Sequence, residues 1–427
     1  TQQPAAEMPA GQMPQEAAGD GGGSGSSSGS SNSGSEGGLK AEGLLAPFGL
    51  SEPLPWQCCM NEAVEEAPQT VPPEVLARLP QGVRVERLEK VSDGWHEGYL
   101  LHLSEPLMSG QPPKAVLRIW RSQLSYWRLE VPTGAAVELR AMALAAAAGV
   151  PTAGFAEAPG GAGLTGPCSR APRGEVCDWA VYNFVQHAPE KEAVRAVKAS
   201  AGSETNFLVR TMARLHSLSL HGVDTEPLPR FEDWRAHVAY LAGLAAESGQ
   251  PDAMHAVEAA RSSLETAAAP ELAPALCHFD WHLGNVLCDG NGQLQAVIDW
   301  EFAGVADPRL DLARLCRLQR WTGDGACRDR GSDRETMGIW KEYATARFGS
   351  GADPMSTLGP LEPWLALESA LVVVIAAAVG SRAASLQRRA GQPGQEDSDA
   401  AVPRCGLLEW LEDSETAKWH LKRLGLL

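Results

Sequence analysis

The chain is 427 residues long, carries 53 acidic against 36 basic side chains for a net charge of −17, and is 44% hydrophobic. That is enough apolar material for a two-lobed core, and the acidic balance argues against a nucleic-acid partner, which needs a basic face. Nine cysteines, odd in number and without a C-x-x-C pair, argue against a disulfide scaffold or a zinc module and fit free thiols in a reducing compartment.

Residues 1–70 are a different material. They hold nine acids and one base, a net −8, which leaves −9 for the rest of the chain. Residues 20–38 are almost entirely Gly, Ser, Asn, Asp and Glu, too polar to bury a core, so a disordered solvating tail is expected. The segment has neither an apolar signal core nor the Arg-rich, acid-poor character of a transit peptide, and a cytoplasmic location is the expectation.

Taken in chain order, residues 91–101 place Gly94 and Gly98 ahead of an apolar strand, as a hairpin turn does. Residues 115–120 form a buried-type strand with one cation, Arg118. Residues 135–148 are rich in Ala, Leu, Glu and Arg, the best helix formers, with Glu138 in the first turn. Gly149 and Pro151 stop that helix. Residues 179–185 read as another apolar strand, and 207–218 carry apolar residues at helical spacing, which makes His216 a structural histidine.

The densest signal follows. Residues 278–285 read H-x-D-x-x-x-x-N, with His278, Asp280, Trp281 and Asn285. A strand over 285–289, a turn at Gly290-Asn291-Gly292 and a second strand over 293–298 lead to Asp299, fourteen residues after Asn285. Such a hairpin holds Asn285 and Asp299 at adjacent strand ends. One Asp as base, with an Asn and a second Asp as metal ligands, is the kinase arrangement, because phosphoryl transfer needs an acceptor held in line and its charge neutralised. Cys277 and Cys288 beside this segment are expected to be core thiols. Further on, the apolar run 371–380 is about half the length of a membrane span and reads as a buried helix. Residues 381–403 read as a flexible loop, and 407–424 as a closing amphipathic helical hairpin.

The segments LCHFDWHLGNVL and AVIDWEFAGVADPRLDLARL resemble the aminoglycoside phosphotransferase and choline kinase-like family. Its members typically read H-G-D-x-H-x-x-N, then I-D-W/F-E, then D-P-x-x-D-L-A. Asp280, His282, Asn285, Asp299, Trp300, Glu301, Asp307, Pro308, Asp311, Leu312 and Ala313 match. Phe279 departs, standing where the family usually has Gly. The choline kinase branch's further features are missing, so the chain sits nearer the aminoglycoside branch. The resemblance implies an α+β, bilobal protein-kinase-like fold, with a small lobe of antiparallel sheet plus helix and a large, mostly helical lobe. Its domains would be the tail 1–70, a nucleotide-binding lobe over 71–187 and a catalytic and substrate-binding lobe over 188–427.

The resemblance also implies roles. Gly94 and Gly98 belong to a phosphate-covering loop, Arg118 holds nucleotide phosphates, and Glu138 pairs with Arg118. The backbone of Asn183 and Val185 meets the adenine edge. Asp280 is the catalytic residue and Asn285 and Asp299 the Mg²⁺ ligands, with His278 and Asp311 as support. Asp307 stabilises the large lobe. Trp281, Trp300 and Glu301, with Glu130 or Asp178 nearby, would contact the acceptor, since aromatic and acidic groups suit a cationic or sugar-like alcohol. The expected activity is transfer of the γ-phosphoryl group of ATP to a hydroxyl of a small molecule such as an amino alcohol, an aminoglycoside-like or a sugar-like compound. The competing readings are a protein kinase-like enzyme, disfavoured because Trp300-Glu301 replaces the Phe-Gly expected after Asp299, and a catalytically silent nucleotide-binding or interaction protein.

Overall fold

The computed structural model describes residues 71–93, 97–120, 135–157, 163–168, 177–319 and 333–391. The tail, Gly94, Glu130 and the closing segment 407–424 lie outside the described residues.

A short helix α1 (Pro73–Leu76) leads into five antiparallel strands, β1 (Val85–Asp93), β2 (Glu97–Leu103), β3 (Lys114–Trp120), β4 (Thr165–Cys168) and β5 (Cys177–Asn183), in the order β1-β2-β3-β5-β4. β5 begins and ends two residues before the 179–185 segment the sequence suggests, because its register is set by β3 on one side and β4 on the other. The two-residue period of β3 decides what each face does. Ala115, Leu117 and Ile119 bury into a core shared with Val75, Leu101 and Val181. Arg118 and Trp120 point to the opposite face. There Trp120 joins the core that includes α2 (Ala135–Ala147). Gly149, just past α2, adopts φ 73°, the left-handed C-terminal turn that the Gly-Val-Pro signal predicts.

The rest is mostly helical: α3 (Glu190–Ala201), α4 (Glu204–His216), α5 (Trp234–Ser248), α6 (Pro251–Thr266), α7 (Pro308–Gln319), α8 (Asp333–Phe348), α9 (Pro354–Thr357) and α10 (Glu362–Gly391). Two ribbons lie among them, β6 (Ala275–Cys277) with β9 (Gly304–Ala306), and β7 (Val286–Cys288) with β8 (Leu294–Val297). Ser203 caps α4 by accepting from the Asn206 amide at 3.0 Å, and Asp233 caps α5 through Ala236 at 2.9 Å. The change from sheet to helices falls between the end of β5 and the start of α3, where the Ala188 amide donates to Cys288 O at 2.9 Å.

α10 corrects the first part, 381–391, of the loop expected over 381–403, whose remainder lies outside the described residues. The helix runs on through Gly391, and its first half, with Leu365, Leu367, Val373 and Val374, is buried. Residues 381–390 are Ala, Leu, Gln, Arg and Ser, which favour or tolerate helix, whereas the Gly and Pro that suggested a loop cluster at 391–394. Gly380 within the helix costs about 1 kcal/mol against Ala, less than the ~1.5–3 kcal/mol that burying one Leu or Val side chain returns. No described helix is long and apolar enough to cross a membrane.

Candidate active site

The catalytic loop joins β6 to the β7–β8 hairpin, and nearly every polar group in it is assigned a partner. Asp311, at the start of α7, accepts the His278 amide at 2.7 Å and the Phe279 amide at 2.6 Å. Its carboxylate also meets His216 Nε2 at 3.2 Å, while Tyr343 OH donates to His216 Nδ1 at 2.7 Å. His216 thus braces the loop from α4, as its place on the helix suggests. His216, Cys277 and Asp311 bring their donor atoms within 4.8 Å of one another, but Asp311 is already spent on loop amides. Burial lifts the Cys277 thiol well above its usual pKa, so it stays protonated core, and Cys288 is pushed up to about 11 by the same cause.

His278 links the two halves of the site. Its Nδ1 accepts the Asp280 amide at 3.2 Å and its Nε2–H donates to Ile298 O at 2.9 Å. This is a neutral tautomer, consistent with a pKa lowered by burial. The hairpin aligns Asn285 with Asp299, since the Ile298 amide donates to Asn285 O at 2.9 Å. Asn285 Nδ2 donates to both the backbone O and Oδ2 of Asp280, each at 2.9 Å. His282 accepts the Gly284 amide on Nδ1 at 3.0 Å, which leaves its Nε2 3.4 Å from Asp280 Oδ2. Burial alone would raise the Asp280 pKa, yet His282, Arg314 and His278 hold it well below the usual carboxylate range. The carboxylate is therefore ionised at neutral pH, suited to orienting a hydroxyl and taking its proton late.

The second half of the site is a guanidinium among carboxylates. Arg118 Nη1 lies 3.0 Å from Glu138 Oε1 and 2.6 Å from Asp299 Oδ1, and its Nη2 lies 3.1 Å from Glu301 Oε2. Tyr182 of β5 donates to Glu138, and Gly98 of β2 lies directly across from Arg118. The loop after α2 ties this cluster to the hairpin, through the Val297 amide on Pro151 O at 2.8 Å. Burial, opposed by Arg118 and reinforced by Asp299 and Glu301, holds the Glu138 pKa up at about 7. Burial also raises that of Asp299, which Glu301 and Asp280 push further. Three carboxylates share one cation, so the site carries surplus negative charge on hard oxygen donors. Asn285 and Asp299 beside that surplus fit Mg²⁺, which takes one or two carboxylates and completes its shell with phosphate oxygens.

Several expectations need correction. Trp281 is 1% exposed and donates from Nε1 to Leu208 O at 3.1 Å, and Trp300 is fully buried and donates to Val297 O at 2.9 Å. Both are core side chains with their one polar group satisfied, and neither faces an acceptor. Glu301 is turned to Arg118 instead of a substrate. The Asn183 amide donates to Gly154 O at 3.2 Å, so it is not available to an adenine edge in this register, whereas Val185 lies just past the strand. Asp178 sits on β5 between Trp120 and Pro167, with no contact to the catalytic loop among the described residues. Asp307 holds Arg309 by a two-point ion pair, while Arg309 donates to Pro270 O and Leu358 O at 2.9 Å each. That is the structural part expected of it. Arg314 directly follows the D-P-x-x-D-L-A motif and His237 lies on α5, and the sequence singled out neither.

Phe279 has φ 59°, in the left-handed region that favours Gly, with its ring 3% exposed and packed by His237. Asp311 on its amide holds that conformation. Phe279→Gly relieves a backbone cost of about 1–2 kcal/mol but gives up a buried ring worth ~3–5 kcal/mol, so packing wins. The expected net loss is about 2 kcal/mol. Phe279→Ala keeps the strain and loses the ring, so denaturant unfolding should rank Ala below Gly. The reverse order would contradict the strain argument.

A buried aspartate, an Asn and an Asp at adjacent strand ends and a guanidinium held among carboxylates are thus brought onto facing elements. The chain belongs to the phosphotransferase enzyme family, whose model matches residues 87–347, more than half of the chain. Its antiparallel sheet with a packed helix, followed by a mostly helical part, is the α+β arrangement that the resemblance implied. No curated protein matches. Among solved structures, the chain is similar to a candidate aminoglycoside phosphotransferase of Ralstonia eutropha, at 15% identity over 86% of this chain and 97% of that one, with a TM-score of 0.49. It is also similar to a thermostable mutant of aminoglycoside phosphotransferase APH(4)-Ia in ternary complex with ADP and hygromycin B, at 15% identity, 80% and 92% coverage and a TM-score of 0.44. A choline/ethanolamine kinase family protein from Mesorhizobium loti aligns at 18% identity, 79% and 92% coverage and a TM-score of 0.39.

Proposed function

We propose that the protein is an ATP- and Mg²⁺-dependent kinase that moves the γ-phosphoryl group to a hydroxyl of a small molecule. The observation that carries this is the convergence of Arg118, ion-paired to Glu138 and Asp299, on a hairpin that also presents Asn285 beside Asp280. ATP lies between the sheet and the helical lobe, with its phosphates beside Gly98, which stands in β2 opposite Arg118 and not in a covering loop as expected, while the expected part of Gly94 lies outside the described residues. Val185 is the backbone position offered to the adenine edge. Arg118 holds phosphates through two donors, and Glu138 keeps it aimed. Asn285 and Asp299 hold Mg²⁺, which neutralises charge on the transferring group. Asp280, ionised and steadied by Asn285 and His282, orients the acceptor hydroxyl and receives its proton.

The domain plan assigns residues 71–187 to nucleotide binding and 188–427 to catalysis and the acceptor. A direct test incubates the protein with Mg-ATP and a metabolite extract and looks for a compound that gains a phosphoryl mass. Expected is transfer that vanishes when EDTA removes the metal. ATP binding without transfer to any compound would favour the silent nucleotide-binding reading, and robust labelling of proteins alone would favour a protein kinase.

A further inference from the structure

Asp280 shares its surroundings with other buried polar groups whose hydrogen-bonding capacity is unmet. Its Oδ1 has no hydrogen-bond partner among the described residues, and neither do Nε and Nη1 of Arg314 or either ring nitrogen of His237. Asp280 and Arg314 are each 2% exposed and His237 is 1% exposed. They come from three elements: the catalytic loop, α7 and α5. Arg314 Nη2 stands 3.7 Å from Asp280 Oδ1, and its Nε 3.8 Å from Glu368 Oε1 of α10. These separations hold an ion pair but are too long for a hydrogen bond. His237 packs against Phe279, the neighbour of Asp280, with the rings tilted by 41° and their centroids 6.1 Å apart. Buried polar groups are normally satisfied, and a cluster of exceptions at the catalytic aspartate calls for a ligand that satisfies them.

We infer that Arg314 and His237 form the acceptor subsite, and that the acceptor is an uncharged polyhydroxyl compound. The inference rests on the kinase reading above. The reacting hydroxyl sits between Asp280 Oδ1 and Arg314, where its oxygen accepts from the guanidinium and its O–H donates to the carboxylate. In the transfer that oxygen forms the new bond to the γ-phosphorus. The bond from the γ-phosphorus to the bridging oxygen of ADP breaks, its electron pair leaves with ADP, and the hydroxyl proton passes to Asp280. A neighbouring hydroxyl meets His237. Burial, and after it the charge of Arg314, holds the His237 pKa down at about 4, so the ring is neutral and offers one donor and one acceptor. Arg314 repels an ammonium group brought beside the reacting hydroxyl. The Asp280 and Glu368 carboxylates that flank Arg314 repel a carboxylate.

The test offers the whole protein and Mg-ATP four acceptor pools: neutral sugars and polyols, hydroxy acids, amino alcohols, and aminoglycosides. Transfer is expected to the neutral pool alone. Arg314→Gln and His237→Phe should each raise the acceptor KM by about tenfold or more, the size expected when a polar partner is lost from a polar site, with nucleotide affinity unchanged. Arg314→Lys should recover part of the loss. His237→Phe, an apolar ring among aromatic neighbours, decides the question if Arg314→Gln does not fold. Transfer to any charged pool overturns the acceptor class and leaves the kinase reading standing. An unchanged acceptor KM in the folded variants overturns the subsite. A wild type that transfers to no pool overturns the kinase reading, and this inference with it.

Discussion

Asp280→Asn is expected to lower kcat by about 10²–10⁴-fold, the range lost when a positioned acid or base is removed, while nucleotide affinity holds. The carboxylate is buried, and its neighbours His282 and Arg314 keep it charged. The amide is the same size and can still accept from Asn285, so loop geometry should survive. What is lost is the charge that orients the acceptor O–H and the site that receives its proton. None of the Arg118 ion pairs involves Asp280, which is why phosphate binding should be spared. The measurement is steady-state turnover beside a nucleotide titration and a melting curve. Turnover within about tenfold of wild type would remove Asp280 from the catalytic role.

Arg118→Ala is expected to act on both nucleotide binding and stability. A charge-assisted hydrogen bond contributes about 1.5–3 kcal/mol, so losing the phosphate contacts should weaken nucleotide affinity by roughly tenfold to a few hundredfold. In the free protein the change strands Glu138, Asp299 and Glu301 together, and breaking a buried ion pair in this way costs about 3–5 kcal/mol. The pH dependence has a definite sign. Glu138 is held up at about 7 against an ordinary value of 4.5, so the folded state keeps its proton longer than the unfolded chain. Its contribution is fully present below pH 4.5 and is lost as pH rises towards 7. Arg118 is the group that opposes this rise, so in Arg118→Ala the loss should continue above pH 7. Melting temperatures across this range should diverge with rising pH, and Glu301→Gln in the Arg118→Ala background should recover part of the difference. Parallel curves would mean the three carboxylates do not share the guanidinium's field.

The catalytic order was legible because it is local. H-x-D-x-x-x-x-N and the hairpin to Asp299 depend on spacing, turn residues and a two-residue strand period, all of which one segment carries. The same holds for the Glu138 helix and its Gly149 stop. Orientation was not legible. Trp281 and Trp300 looked like acceptor contacts because they flank catalytic acids, yet adjacent residues in such a loop point in different directions. Packing against Leu208 and Val297 turned both inward. The expected loop over 381–403 fails in its first part, 381–391, for a different reason: a few Gly and Pro residues coloured a segment whose first ten residues are helix-forming.

By itself, then, the sequence determined the reaction type, the order of the polar residues and the elements that carry them. Only the tertiary structure decided which carboxylates share Arg118, a partner 181 residues from Asp299, and which buried groups surround Asp280. Those facts depend on long-range packing of α5, α7 and α10 around one loop. Arg314 adjoins the D-P-x-x-D-L-A motif and His237 lies on a separate helix, so only the assembled core brings both into the surroundings of Asp280.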